Sequence, residues 1–93
     1  MNTLEKKLIP KKDIQVRLRR IEGQIKGIEK MIEGENCCKD VLIQVAAVRA
    51  AINKVGGLLL QNYAKTCFLT EYDKRSEEKK IEELVSTLTM FLK

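Results

Sequence analysis

The chain has 93 residues and a formal charge of +5, with 18 Lys and Arg against 13 Asp and Glu, three cysteines, one proline and no histidine. A single domain of this length buries only a modest share of its surface as a lone copy, so a core completed by oligomerisation is expected. The absence of histidine removes the usual general base, the usual zinc imidazole and any histidine pH switch, which weighs against proton-transfer enzymes and histidine-rich metal sites.

Residues 1–12 are expected to form a flexible basic arm containing Pro10, and residues 13–93 a single helical domain. A first helix is predicted from about Asp13 to Glu33, because Ile14, Leu18, Ile21, Ile25, Ile28 and Ile32 repeat at alternating spacings of four and three. Gly34 is expected to end it as the C′ residue, and Asn36 to cap the next helix after a very short connection. A second helix is predicted from Cys37 to Cys67 or Phe68, with Val41, Val45, Val48, Ile52, Val55 and Leu59 as its main stripe. At about 45 Å it is longer than a small monomer can cover, so part of it is expected to pack on another subunit. Gly56 and Gly57 cost roughly 1 kcal/mol each in helix propensity; either they admit a close contact or they are tolerated weak spots. Leu69 to Arg75 reads as a loop. Ser76 is a candidate cap for a third helix with the stripe Ile81, Leu84, Val85, Leu88 and Phe91, and Glu77 and Glu78 suit its first turn.

A membrane span is expected to be excluded, because no unbroken apolar run approaches the length needed, the longest being residues 55–60, and no secretory signal pattern is present. Three cysteines without such a signal point to the reducing cytoplasm.

Cys38 and Cys67 lie 29 residues apart. On one helix roughly 43 Å would separate them, so they cannot react within a chain. Two antiparallel copies crossing near Ile52 and Asn53 would bring Cys38 of one subunit beside Cys67 of the other. Cys37 and Cys38 fall in the predicted first turn, where unpaired N–H groups and the helix dipole favour a thiolate. Each cysteine has a plainer alternative as a small buried hydrophobe. No Cys-x-x-Cys is present, which weighs against a thioredoxin-like enzyme or a four-thiolate zinc site.

The run Arg17-Leu18-Arg19-Arg20-Ile21-Glu22-Gly23-Gln24-Ile25-Lys26-Gly27-Ile28, followed by Cys38-Lys39-Asp40-Val41-Leu42-Ile43-Gln44-Val45-Ala46-Ala47, resembles the CsoR/RcnR family of bacterial transcriptional repressors. The resemblance covers almost the whole chain beyond the arm. It implies an all-α, three-helix subunit forming an antiparallel helical-bundle dimer, assembled as a dimer of dimers. It also implies double-stranded operator DNA as a partner, no enzymatic activity, no resident cofactor and an inducer that acts at an intersubunit site. Cys38 matches the first ligand position of the family and Cys67 the last.

Copper(I) sensors of the family place a histidine four residues before that last cysteine; here the position holds Tyr63, beside Asn62. A phenol is a poor ligand for soft Cu(I). The retained cysteines without the histidine resemble the CstR-like, persulfide-sensing branch. Reactive sulfur species are therefore the expected inducer, modifying and crosslinking Cys38 and Cys67 across subunits. The alternative is a copper(I)-responsive repressor with the same two thiolates as ligands. Cys37 stands where copper sensors carry a tyrosine, and Glu83 matches by spacing a glutamate that supports the ligands in those sensors. Cys37, Asn62, Tyr63 and Glu83 are thus candidate modulators.

Residues 1–30 carry nine basic and four acidic groups, so the positive field lies towards the N-terminal end and favours a polyanion. Arg17, Arg20 and Gln24 form one polar stripe of the first helix, Lys12 and Arg19 lie on another, and Arg49 and Lys54 add charge from the second. Such faces are also ordinary solvated surface; the resemblance assigns Arg17, Arg20 and Gln24 to DNA. Lys6, Lys7, Lys11 and Lys12 are expected to add salt-dependent phosphate attraction. An inert helical assembly protein and a thiol enzyme are the remaining readings, the latter without any visible base.

Overall fold

The computed structural model of the chain describes residues 8–69 and 74–93, apart from the side chain of Leu69. It contains α1 (Lys11–Glu33), α2 (Cys38–Leu69) and α3 (Glu77–Phe91), with no strand among the described residues. The all-α, three-helix reading therefore stands. Residues 70–73 of the expected loop, and residues 1–7 of the expected arm, lie outside the described residues.

Helix α1 begins two residues before the expected Asp13, so Lys11 and Lys12 are its first turn rather than part of an arm. Pro10 explains the earlier start. Its extended backbone suits the cap position, it needs no N–H there, and its carbonyl accepts from the amides of Asp13 at 3.0 Å and Ile14 at 3.4 Å. Asp13 offsets the two lysines at the positive end of the helix dipole. Of the isoleucine stripe, Ile14 and Ile21 are buried, whereas Leu18, Ile25 and Ile32 stay exposed.

The end of α1 corrects two expectations. Gly34 keeps a right-handed φ of −79° as the C-cap, and the left-handed residue is Glu35, at φ 55°. The amide of Glu35 donates to the carbonyl of Ile32 at 3.1 Å and that of Asn36 to Met31 at 3.0 Å. These are the two bonds of a Schellman motif with Glu35 at C′, a place where glycine has no steric penalty and glutamate does. Because the turn closes one residue later than the glycine suggested, Asn36 is spent on it. The cap position of α2 falls to Cys37, whose carbonyl accepts from the amides of Asp40 and Val41.

Helix α2 is continuous over 32 residues, about 48 Å of axis. The described residues fall into two compact units, one of residues 10–55 and one of residues 8–9, 56–69 and 74–93, the division in sequence lying between Val55 and Gly56 of this helix. In the first unit Ile14, Ile21 and Val55 are the buried apolar residues; in the second they are Leu58 and Cys67. Leu42, Ile43, Val45, Ile52 and Leu59 remain exposed in the lone chain. Within Cys38–Phe68 an 18-residue stretch reaches a mean hydropathy of 1.4, so the helix is also long and apolar enough to cross a membrane. This relaxes the exclusion drawn from unbroken runs: Gln44, Arg49, Asn53 and Lys54 interrupt the runs without bringing the average down. One such helix is weak evidence, because the core helix of a soluble assembly passes the same test.

Helix α3 starts as expected, with Ser76 Oγ accepting from the amide of Lys79 at 3.3 Å and Glu77 and Glu78 in the first turn. Its stripe is covered unevenly: Leu84 and Leu88 are half-buried, while Ile81 and Val85 are exposed. Lys80 is buried along its stem. At the far end the Phe91 ring lies so close to Gly56 that a Cβ there would overlap it, whereas a Cβ on Gly57 would meet nothing within 4 Å. Gly56 thus admits the close contact, and Gly57 has no such role within the chain.

Candidate functional site

All three cysteines are free. Cys37 and Cys38 are exposed at the start of α2, and Cys67 is buried near its end, at 5% exposure. The continuity of α2 keeps Cys38 and Cys67 on one helix, 29 positions apart. Among the described residues no three His, Cys, Asp or Glu side chains come together in a way that could hold a metal ion. A donor set that uses both thiols therefore needs a second chain.

Cys38 opens into an apolar pocket of about 460 Å³ walled by Ile32, Asn36, Val41 and Leu42. Its position follows from the Schellman turn, which ends α1 and leaves Cys37 to cap α2. The thiol is accessible, and the apolar walls leave sulfur as its main chemical feature. The lone chain presents Cys38 and covers Cys67.

One turn before Cys67, Tyr63 is half-buried and donates its phenolic hydrogen to Glu83 Oε1 at 2.6 Å. Arg75 pairs with the other oxygen of that carboxylate. Tyr63 and Cys67 are four residues apart and so share a helix face. The tyrosine is thus tied to α3 rather than held open as a donor, and its partner Glu83 is engaged by Arg75 as well. Of the candidate modulators, Tyr63 and Glu83 are thus bonded to each other. Asn62 is engaged elsewhere, its side chain binding both backbone groups of Ile9. Sequence reasoning missed Arg75, which sits in a stretch read as loop, and Ile9, which contributes only its backbone.

In the unit of residues 10–55, Arg17, Arg20, Gln24 and Lys54 surround an open groove of about 370 Å³ floored by Ile21, Ala50 and Ala51. The first-helix stripe and Lys54 therefore converge from two helices. No carboxylate lines this groove. Three like charges held there repel one another, and an anion would relieve the repulsion. Lys12, Arg19 and Arg49 are exposed but do not line it.

Comparison with known proteins places this arrangement. The family model described as metal-sensitive transcriptional repressor matches residues 10–90. The copper-sensing transcriptional repressor CsoR of Bacillus subtilis (strain 168) is 39% identical over 92 residues, covering 98% of this chain and 91% of that protein. Among solved structures, the copper-sensing repressor CsoR with Cu(I) from Geobacillus thermodenitrificans NG80-2 is similar at a TM-score of 0.78 and 36% identity, covering 94% of this chain and 96% of that one. The nickel-responsive transcriptional regulator InrS gives a TM-score of 0.78 at 35% identity, covering 89% and 93%. These relatives carry metals in their names. Two of the three are named for copper and one for nickel, and none is named for the reactive sulfur expected from the CstR-like reading.

Proposed function

The chain belongs to the metal-sensitive transcriptional repressor family, and on that premise we propose that it is an operator-binding repressor switched by two thiols, Cys38 of one subunit and Cys67 of the partner subunit. It is a regulator and not an enzyme. The observation that carries the proposal is the placement of free thiols near both ends of one 32-residue helix whose apolar residues are largely exposed in the lone chain. An antiparallel second copy covers that surface and pairs the ends. A dimer, and a dimer of dimers, follows as the working assembly, in the cytoplasm, with no membrane partner.

Copper(I) is the inducer that the relatives favour. Two thiolates suit its softness and its tolerance of linear coordination. Cys38 and the partner's Cys67 would hold it; Tyr63, bonded to Glu83, would not.

A second reading rests on that same tyrosine. With the Tyr63 hydroxyl engaged by Glu83, the two thiols are also suited to reaction with a polysulfide. The Cys38 thiolate attacks a sulfane sulfur to give a persulfide and a polysulfide shorter by one atom. The thiolate of the partner's Cys67 then attacks the Cys38 Sγ and expels hydrosulfide, forming a disulfide; two electrons pass from the thiolates to the sulfur.

In either case the groove of Arg17, Arg20, Gln24 and Lys54 takes DNA phosphates, with Lys12, Arg19 and Arg49 strengthening the field around it. A bridge between subunits would change the spacing of two such grooves, coupling the thiol site to DNA without blocking it directly.

Titrating the operator complex with copper(I) or with inorganic tetrasulfide, and measuring intact mass in parallel, decides between the inducers. Release at about one copper per thiol pair supports copper. Release with subunits crosslinked by a disulfide, two hydrogens lighter than the free thiols, supports sulfur. Retention of the operator under both would overturn the two-thiol switch.

A further inference from the structure

Asn62, one of the candidate modulators, makes a polar contact spanning 53 positions of the chain. Its Oδ1 accepts from the Ile9 amide at 2.8 Å, and its Nδ2 donates to the Ile9 carbonyl at 3.1 Å. One carboxamide thereby satisfies both backbone groups of one residue, as a neighbouring strand would. Leu8 and Ile9 belong to no helix, yet both are half-buried. Among the described residues, Asn62 is the only hydrogen-bond partner of the Ile9 backbone.

We propose that Asn62 is a positioning residue that straps Ile9 onto the sensor end of α2, and that inducer chemistry at Cys67 opens this clamp. The proposal rests on the two-thiol reading above. Asn62, Ile9 and Cys67 belong to the same compact unit, and Cys67 is buried within it. A metal or sulfur atom added to a buried Sγ takes up volume that close-packed neighbours must yield.

The elements of this unit differ in how firmly they are held. The end of α2 and the whole of α3 carry their own helical ladders. They are joined by the Tyr63–Glu83–Arg75 network and by the seating of Phe91 on Gly56. The strap has two neutral hydrogen bonds from a single side chain. Local opening begins where the fewest bonds must break, and here that is the strap. Ile9 lies two positions before Lys11 and Lys12, the basic residues that begin α1. Freeing Ile9 therefore loosens the approach to these lysines and weakens whatever phosphate contacts they make.

The test is amide hydrogen exchange of the full-length protein, read at Ile9 by NMR with the amides of α3 as internal reference. In the untreated protein the Ile9 amide is protected. Asn62→Ala speeds its exchange at least tenfold and leaves α3 unchanged. Asn62→Asp, which still accepts from the Ile9 amide, retains most of the protection. Treatment with copper(I) or inorganic tetrasulfide raises Ile9 exchange towards the Asn62→Ala level as the operator is released. An unprotected Ile9 amide in the untreated protein, or exchange unaffected by Asn62→Ala, overturns the clamp. Ile9 protection that persists while the operator is released overturns its opening by the inducer. If neither reagent releases the operator, the two-thiol reading fails and the relay with it, and Asn62→Ala alone then decides the clamp.

Discussion

Tyr63 donates a 2.6 Å hydrogen bond to Glu83, joining the last turns of α2 to the middle of α3 one turn before the buried Cys67. The phenol is thereby held by a carboxylate that Arg75 also engages. The thiol is left as the soft donor on that face. Tyr63→Phe removes the bond and leaves the hydrophobic ring, so stability should fall by about 1–2 kcal/mol, in the range of a hydrogen bond to a charged group discounted for partial exposure. Copper(I) stoichiometry should not change. Thermal unfolding and copper titration check both halves, and a loss of copper binding in Tyr63→Phe would show that the phenol is a ligand.

The two adjacent glycines should respond in opposite directions to alanine. At Gly57 a Cβ has open space within the chain, so Gly57→Ala should gain about 1 kcal/mol of helix propensity. At Gly56 the added Cβ meets the Phe91 ring, which must leave its seat. Gly56→Ala should therefore lose roughly 1–3 kcal/mol despite the same propensity gain. Chemical denaturation of the two variants at equal protein concentration checks the sign of the difference.

Glu35 holds a left-handed conformation at the C′ position of α1. Glu35→Gly should stabilise the chain by about 1 kcal/mol, because glycine adopts that conformation without the Cβ clash. Gly34→Ala should do little beyond displacing the Asn36 side chain, since that is the nearest group its Cβ would meet, at 3.0 Å. A thermal shift of the opposite sign in Glu35→Gly would contradict the Schellman assignment.

The helices are legible in the chain because the isoleucine stripe of α1 and the Ser76 cap act through side-chain type and spacing, and the thiols are legible because cysteine is rare and chemically distinct. The turn after α1 is not, since Gly34 and Asn36 both carry the right signature and the backbone uses neither as expected. The Asn62 clamp leaves no trace in the sequence, because its partner is a peptide group that every residue possesses. Tyr63 and Glu83 can be matched by spacing, but only the fold shows that they are bonded. The gathering of Lys54 with Arg17 and Arg20 likewise depends on how two helices meet.

The groove makes a prediction about DNA. Arg17→Ala and Lys54→Ala should each weaken operator binding across sequences, and each should reduce the slope of log affinity against log salt by about one phosphate contact. Arg19→Ala, off the groove, should have a smaller effect. Equal slopes for all three variants would indicate a diffuse field without a defined phosphate contact.

If two chains complete the switch, mixing subunits that each lack one thiol restores it. Cys38→Ala and Cys67→Ala should each bind operator and ignore the inducer. Unfolding and refolding the two together yields mixed assemblies in which Cys38 of one variant faces Cys67 of the other, restoring one intact thiol pair per mixed dimer. Inducer-dependent release of the operator should return in the mixture and be absent from either variant alone. Failure of the mixture to respond, or a full response from either single variant, would rule out a thiol pair shared between subunits.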